Sequence, residues 1–430
     1  MTESPPSPPA PPSERRGLAY VLAATAIAGA IGYIIQALVP GFVGASEYVA
    51  FSVFWSIVYL VVSALAGLQQ EVTRATHMRA AGEPPGWRVI GAFGLCASAI
   101  ALALLGASSP LWAPSLFGAQ SAPLVIALLV GAVGYSFVAL LSGALYGVRD
   151  WGGVAAMTVT DSAIRLCLIC GALMIGAGTV VLGWAVALPF AIAVVSVWLF
   201  TGRRVRRDAA IDVGLRGLAR NSISTVLAST ATGLMISGLP FLLGITRQGI
   251  APGLLASLIL VITLTRAPLV IPLLALQSYL VVTFRDHPAS ARRRVVVWSA
   301  ALVGASVVLA AAAIWVGPWV VNLLYGDRYA LPSAAYAFIV LSAGLTGLLC
   351  ITGPAVLAAG RHGWYLAGWA TASVALVVLL SAPLARPEGI LVALVAAPLF
   401  GVGVHAWGLR ARSGASTSRL RPTKAADPEA

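Results

Sequence analysis

Three charged side chains stand inside predominantly apolar stretches that otherwise hold no charge. Asp161 and Arg165 lie in Gly153–Ile175, and Arg266 lies in Leu254–Tyr279. Each stretch is long enough to cross a bilayer, where a charge near the helix centre costs roughly 2.5–3.5 kcal/mol on insertion scales. Such a group pairs, faces a water-filled cavity, or holds a charged ligand. Asp161 and Arg165 are four residues apart and share one helix face. That spacing allows an intrahelical ion pair that fixes the helix against a neighbour, or a polar wall that meets an anion. Arg266 differs: in "VITLTRAPLVIPLLALQSYL" no acid lies within two turns, while Pro268 and Pro272 follow it and can bend the helix. Its guanidinium needs a cavity or a partner on another helix, such as Asp161, and its two-pronged donor geometry suits a diphosphate.

A second group lies on the run Val49–Leu68 and just beyond it. Trp55, Tyr59 and Ser63 recur at i, i+4 and i+8, a stripe able to stack sugar rings or simply to pack. At the end of the run, "GLQQEVTR" places Gln69, Gln70, Glu71 and Arg74 together. They are either an ordinary polar helix end or the mouth of a route through the membrane. Other chemistry is absent from the sequence. The four cysteines (Cys96, Cys167, Cys170, Cys350) sit in apolar runs, and Cys167 and Cys170 lack the polar surroundings of a redox pair. The four histidines are scattered, so no metal site or cofactor is expected, and no phosphate-binding loop for ATP hydrolysis occurs.

The elements that must position these residues follow from composition. The 430 residues are 59% hydrophobic and only 10% charged, with mean hydropathy +0.93. This is the composition of an all-α polytopic membrane protein. Apolar runs of about 18–26 residues, the length that crosses a bilayer, predict twelve spans: 17–39, 49–68, 89–107, 124–146, 153–175, 179–200, 222–244, 254–279, 295–317, 333–359, 364–381 and 389–409. The net charge of +13 lies in short arginine clusters between spans, which sets topology and does not build a groove for nucleic acid. One side receives Arg15 and Arg16, Arg74 to Arg88, Arg149, Arg203 to Arg220, Arg285 to Arg294, Arg361 and the C-terminal tail. The other keeps Arg247, Arg328 and Arg386. The asymmetry predicts cytoplasmic termini and a plasma-membrane protein. The proline-rich residues 1–16 and the polar residues 410–430 read as disordered tails. The basic stretch 201–221 reads as a cytoplasmic linker between a first lobe, 17–200, and a second, 222–409.

The two lobes carry traces of one another. "SPLWAPSLFG" and "GPWVVNLLYG" align at an offset of 208 positions, matching Pro110 with Pro318, Phe117 with Tyr325, and Gly118 with Gly326. The same offset aligns "GLQ" at Gly67–Gln69 with "ALQ" at Ala275–Gln277. Six spans per copy make the repeats parallel, giving two pseudo-symmetric six-helix lobes. Transporters built this way place their substrate site between the lobes. The loops opposite the basic side are too short for a catalytic domain, so no enzyme is expected.

Two stretches carry a family resemblance. "LVPGFVGASEYVAFSVFW" (Leu38–Trp55) resembles the first outer loop and second helix of the polysaccharide-transporter branch of the multidrug/oligosaccharidyl-lipid/polysaccharide (MATE/MOP) exporter superfamily. "LLYGDRYALPSAAYAFIVLSAG" (Leu323–Gly344) is similar to that branch's entry into helix ten. The resemblance implies a Wzx-like flippase of polysaccharide or lipopolysaccharide biosynthesis. Its substrate would be a polyprenyl-diphosphate-linked oligosaccharide, its surroundings membrane lipids, and its partners the glycosyltransferases or polymerase of the same pathway. Two other readings stand beside it: an exporter of small amphipathic compounds, and a non-transporting scaffold of a glycan-assembly complex. The uncharged first span, 17–39, lacks the acid that proton-coupled drug exporters often carry there.

Overall fold

The computed structural model describes residues 12–246, 250–382 and 387–410. Thirteen α-helices and one two-stranded ribbon make up the described chain: α1 (Pro12–Phe42), α2 (Ala45–Ala75), β1 (Thr76–Met78), α3 (Trp87–Phe117), α4 (Ser121–Gly147), α5 (Trp151–Met174), α6 (Thr179–Asp208), β2 (Ala209–Ile211), α7 (Leu215–Ile236), α8 (Leu239–Thr246), α9 (Pro252–Asp286), α10 (Pro288–Tyr325), α11 (Ser333–Ala358), α12 (His362–Ser381) and α13 (Pro387–Arg410). Among the described residues, ten stretches are long and apolar enough to cross a membrane, or eleven if α7 and α8, bent by 72°, form one span. The expected count was twelve. The difference arises at Trp87–Gly147, a single apolar stretch in which α3 and α4 are separated only by a 3-10 turn.

The offset of 208 runs through the whole architecture. Shifting α2 by 208 gives 253–283, inside α9; α3 maps onto α10, α4 onto α11, α5 onto α12 and α6 onto α13. The turn glycines match in conformation too. Gly118 ends α3 at φ 53° and Gly326 ends α10 at φ 64°, and a 3-10 turn follows each. Left-handed backbone at both places explains why the repeat keeps glycine there. The central helices α4 and α11 are buried along most of their length. One pair breaks the symmetry: α1 is continuous, while its counterpart is split into α7 and α8 at Ser237–Gly238.

Several expectations are corrected. Residues 12–16, placed in a disordered tail, already belong to α1. The stretch 201–221 is not a loose linker: α6 continues to Asp208, β2 pairs antiparallel with β1 (Thr76↔Ile211, Met78↔Ala209), and α7 starts at Leu215. The ribbon ties the α2–α3 connection to the joint between the lobes. Helix α9 runs on through Pro268 and Pro272. The remainder of both tails, with Arg247 and Arg386, lies outside the described residues.

The lobes meet along two seams. At the ribbon end, α2 packs on α7 through small residues. A Cβ on Gly67 would meet the backbone nitrogen of Val226 at 2.5 Å, and Gly233 packs directly on Ser63. Thr225 donates to the Gly67 carbonyl at 2.9 Å. Such close backbone approach is how helices associate in lipid. At the far end, Tyr325 and Tyr329 donate to the carbonyls of Ala37 (2.7 Å) and Pro40 (3.0 Å) on α1, and Tyr329 packs edge-on against Tyr48. The two stretches that carry the family resemblance thus touch each other.

Candidate functional site

Between the lobes lies a cavity of about 480 Å³. Its walls come from α1, α2, α4 and α5 of the first lobe, and from α7, α8, α9 and Thr346 of α11 in the second. Asp161, Arg165, Arg266, Trp55, Tyr59 and Gln69 all reach it.

Arg165 is satisfied on every side. It donates to Asp161 Oδ1 at 2.7 Å, to the Tyr59 hydroxyl at 2.9 Å and to the Val186 carbonyl at 3.3 Å. Its guanidinium carbon lies 4.5 Å from the centre of the Phe190 ring. One side chain on α5 therefore binds α2 and α6 together. The partner of Arg165 is Asp161, and the pair is built from the sequence spacing of four.

Arg266 has no such set. Its Nη1 donates to the Met235 carbonyl at 2.8 Å, while Nε and Nη2 have no partner, although the residue is only 6% exposed. The local reason lies in the break between α7 and α8. Helix α7 ends at Ile236, which leaves its last carbonyls without helical donors, and the negative end of a helix dipole favours a cation. Ser56 on α2 stitches the same break, donating to the Ser237 carbonyl and accepting from the Phe241 N–H. Among the described residues no carboxylate forms an ion pair with Arg266, so the expected alternative of Asp161 as its partner fails.

Trp55 and Tyr59 stack with ring centres 4.8 Å apart, forming a flat aromatic face on the wall. Ser63, the third member of the stripe, instead packs on Gly233. The polar cluster at the end of α2 divides likewise. Gln69 reaches the cavity, about 21 Å along the helix from Trp55 at 1.5 Å per residue. Gln70 donates to Ser229 at 3.3 Å. Glu71 is buried and holds Arg74 through two bonds of 2.7 and 2.8 Å, while Asn221 on α7 donates to it at 2.9 Å. Glu71 and Arg74 are thus a clasp between lobes and not a wall of the cavity.

Sequence reasoning did not single out Gln36 or Tyr135, both on the wall. Gln36 Oε1 is buried without a partner. Its signal was present: it is the one amide in the first span.

Compared with known proteins, the chain matches no protein-family model. Over most of its length it is similar to an uncharacterised protein of Mycobacterium tuberculosis, 32% identical over 412 residues and 93% of each chain. A second relative, an uncharacterised protein of Mycobacterium bovis, is 33% identical over 410 residues and 90% of each chain. The chain belongs to their family. Solved structures relate that family to a fold. A multidrug resistance MATE family transporter of the MOP superfamily, in its inward-facing conformation, superposes with a TM-score of 0.66 at 17% identity, covering 91% of this chain and 97% of the other. The lipid II flippase MurJ, inward closed, gives 0.67 at 11% identity over 91% and 87%. An outward-facing MATE conformation gives 0.57 at 16% identity over 92% and 95%. The chain therefore has a MATE/MOP-like fold in a multi-pass membrane protein.

Proposed function

We propose that the protein is a flippase that moves a polyprenyl-diphosphate-linked oligosaccharide from the inner to the outer leaflet by alternating access between its lobes. The observation that carries this reading is Arg266: a buried guanidinium at the cavity wall with two nitrogens unspent. An unpartnered cation in the membrane costs free energy that an anionic headgroup would offset. A diphosphate accepts in the same paired geometry that Nε and Nη2 offer. Gln36 supplies hydrogen-bonding groups, and Trp55 with Tyr59 a stacking face, for the sugars, while Gln69 lines the same cavity further along α2. The volume falls in the range of small-ligand sites, so it suits the headgroup while the isoprenoid chain stays in lipid.

The protein catalyses no covalent step in this reading. The arginine asymmetry supports a cytoplasmic position for the ribbon and both termini; in a plasma membrane, glycosyltransferases would deliver the substrate on that side. A polymerase would receive it on the far side. The stacked aromatic pair supports a second reading, export of a small amphipathic anion. A scaffold with no transport role gives Arg266 nothing to bind.

Deleting the protein in its own cells tests the proposal. Lipid-linked precursor should accumulate on the inner leaflet, with surface glycan reduced, and re-expression should reverse both. Unchanged surface glycan and unchanged precursor sidedness would remove the flippase reading.

A further inference from the structure

A second set of arginines lies outside the cavity, at the ribbon end of the first lobe. Here Arg206 near the end of α6 is held between two indoles: its guanidinium carbon is 5.3 Å from the ring centre of Trp87 on α3 and 5.0 Å from that of Trp198. The guanidinium carbon of Arg88 also lies over Trp87, 5.7 Å from its ring centre. Arg203 is exposed one turn away. The acids nearby are already engaged, Asp150 with Arg204 at 3.2 Å and Asp208 with Arg207 at 2.7 Å. Among the described residues Arg88, Arg203 and Arg206 have no acidic partner. The result is an exposed cationic platform framed by tryptophans, the residue type that settles at a membrane–water boundary.

Directly below it the same two helices frame an open apolar groove of about 410 Å³. Val130, Val133 and Phe137 of α4 form its floor, Leu102 of α3 one wall, and Val194 and Val195 of α6 the other. Groove and platform share helix faces. On α6, Val195, Leu199, Arg203 and Arg206 follow at i, i+4, i+8 and i+11; on α3, Arg88, Leu95 and Leu102 recur every seven residues. At 1.5 Å per residue the groove lies roughly 12–21 Å from the arginines, near the midplane of a hydrocarbon core about 30 Å thick. That is where an acyl chain ends when its headgroup sits at the interface.

We propose that this surface binds an anionic phospholipid, with the phosphate on Arg88, Arg203 and Arg206 and one acyl chain in the groove between α3 and α6. Charge complementarity selects the headgroup, and the apolar lining of the groove selects a lipid over a soluble phosphate or an acidic peptide. The bound lipid fills the opening between α3 and α6, whose ribbon-side ends are joined by Arg206 on Trp87 and by the Gly86 N–H donating to the Ala209 carbonyl at 2.9 Å. The site does not depend on the identity of the transported substrate.

Native mass spectrometry of the detergent-purified full chain tests it, with phosphatidylglycerol and phosphatidylcholine of identical acyl chains as probes. Phosphatidylglycerol should bind more tightly, and Arg88→Gln with Arg203→Gln and Arg206→Gln should weaken it by roughly a hundredfold at low salt, with a much smaller loss for phosphatidylcholine, whose choline offsets its phosphate charge. Arg292→Ala with Arg293→Ala, which removes equal-signed charge elsewhere, should change nothing. Val130→Trp, which fills the groove and spares the arginines, should weaken a long-chain lipid more than a short-chain one. Equal binding of the two lipids by the unaltered protein overturns the proposal. So does displacement of phosphatidylglycerol by millimolar inorganic phosphate, or a preference that survives the triple substitution.

Discussion

Arg165 and Arg266 face one cavity, yet they are opposite kinds of buried arginine. Arg165 spends all three nitrogens on Asp161, Tyr59 and Val186 and holds three helices of the first lobe together. Arg266 spends one, on a carbonyl exposed by the break in α7, and leaves two facing nothing. The first lobe keeps its opening helix whole and its charge neutralised. The second breaks the equivalent helix and keeps a charge in reserve. A side chain whose partners are built in stabilises the fold; one whose partner is missing has a use for a ligand.

The largest effect should come from breaking the satisfied site. Arg165→Gln leaves Asp161 charged and unpaired at low dielectric, a change that costs about 3–5 kcal/mol in comparable buried pairs. Membrane abundance and melting temperature should both fall sharply. Asp161→Asn together with Arg165→Gln should restore most of the abundance. A double variant that is abundant but transports nothing would place Arg165 in the substrate route and erase the contrast.

A smaller loss is expected at the break itself. Ser56→Ala removes the hydroxyl that serves Ser237 and Phe241, leaving buried backbone groups unpaired at about 1–3 kcal/mol. If the break positions Arg266, transport should fall in step with the melting temperature. Full transport in a destabilised Ser56→Ala protein would separate the two.

The smallest expected effect is at the far seam. Tyr325→Phe with Tyr329→Phe removes two hydrogen bonds to α1, each worth about 0.5–1.5 kcal/mol. The packing of the rings would remain. A single cysteine at Thr25, on the cavity wall, should then react faster with an impermeant thiol reagent added outside intact cells. No change in rate would mean that these tyrosines do not hold the far end closed.

Much of this arrangement was legible in the sequence because lipid imposes it. Apolar runs of bilayer length mark the helices, and the shared offset of Gly118 and Gly326 revealed the repeat because only a left-handed turn demands glycine. The Asp161–Arg165 pair followed from its spacing. What escaped reading depends on distant contacts. The strands "THM" and "AAI" have no alternation to announce them and pair across more than a hundred residues. The break between α7 and α8 falls inside a single apolar run, 222–244, and only Gly238 and Pro240 mark it. Hydropathy therefore gives no sign of the free Met235 carbonyl that Arg266 meets. Glu71 looked like part of a mouth because a polar helix end gives no hint of which helix it faces; Asn221, 150 positions away, decides that.

The role of Arg266 is tested most directly by Arg266→Ala, with membrane abundance and the sidedness of the lipid-linked precursor measured in the same cells. Removing an isolated cation lowers the cost of insertion, so abundance should stay near that of the unaltered protein. Loss of a charge-assisted hydrogen bond to the headgroup, about 1.5–3 kcal/mol or roughly ten- to hundredfold in affinity, should strand precursor on the inner leaflet. Arg266→Lys should retain part of the activity, since it keeps the charge and loses the planar fork. An abundant Arg266→Ala protein that exports glycan at the normal rate would contradict the assignment of Arg266 as the headgroup contact.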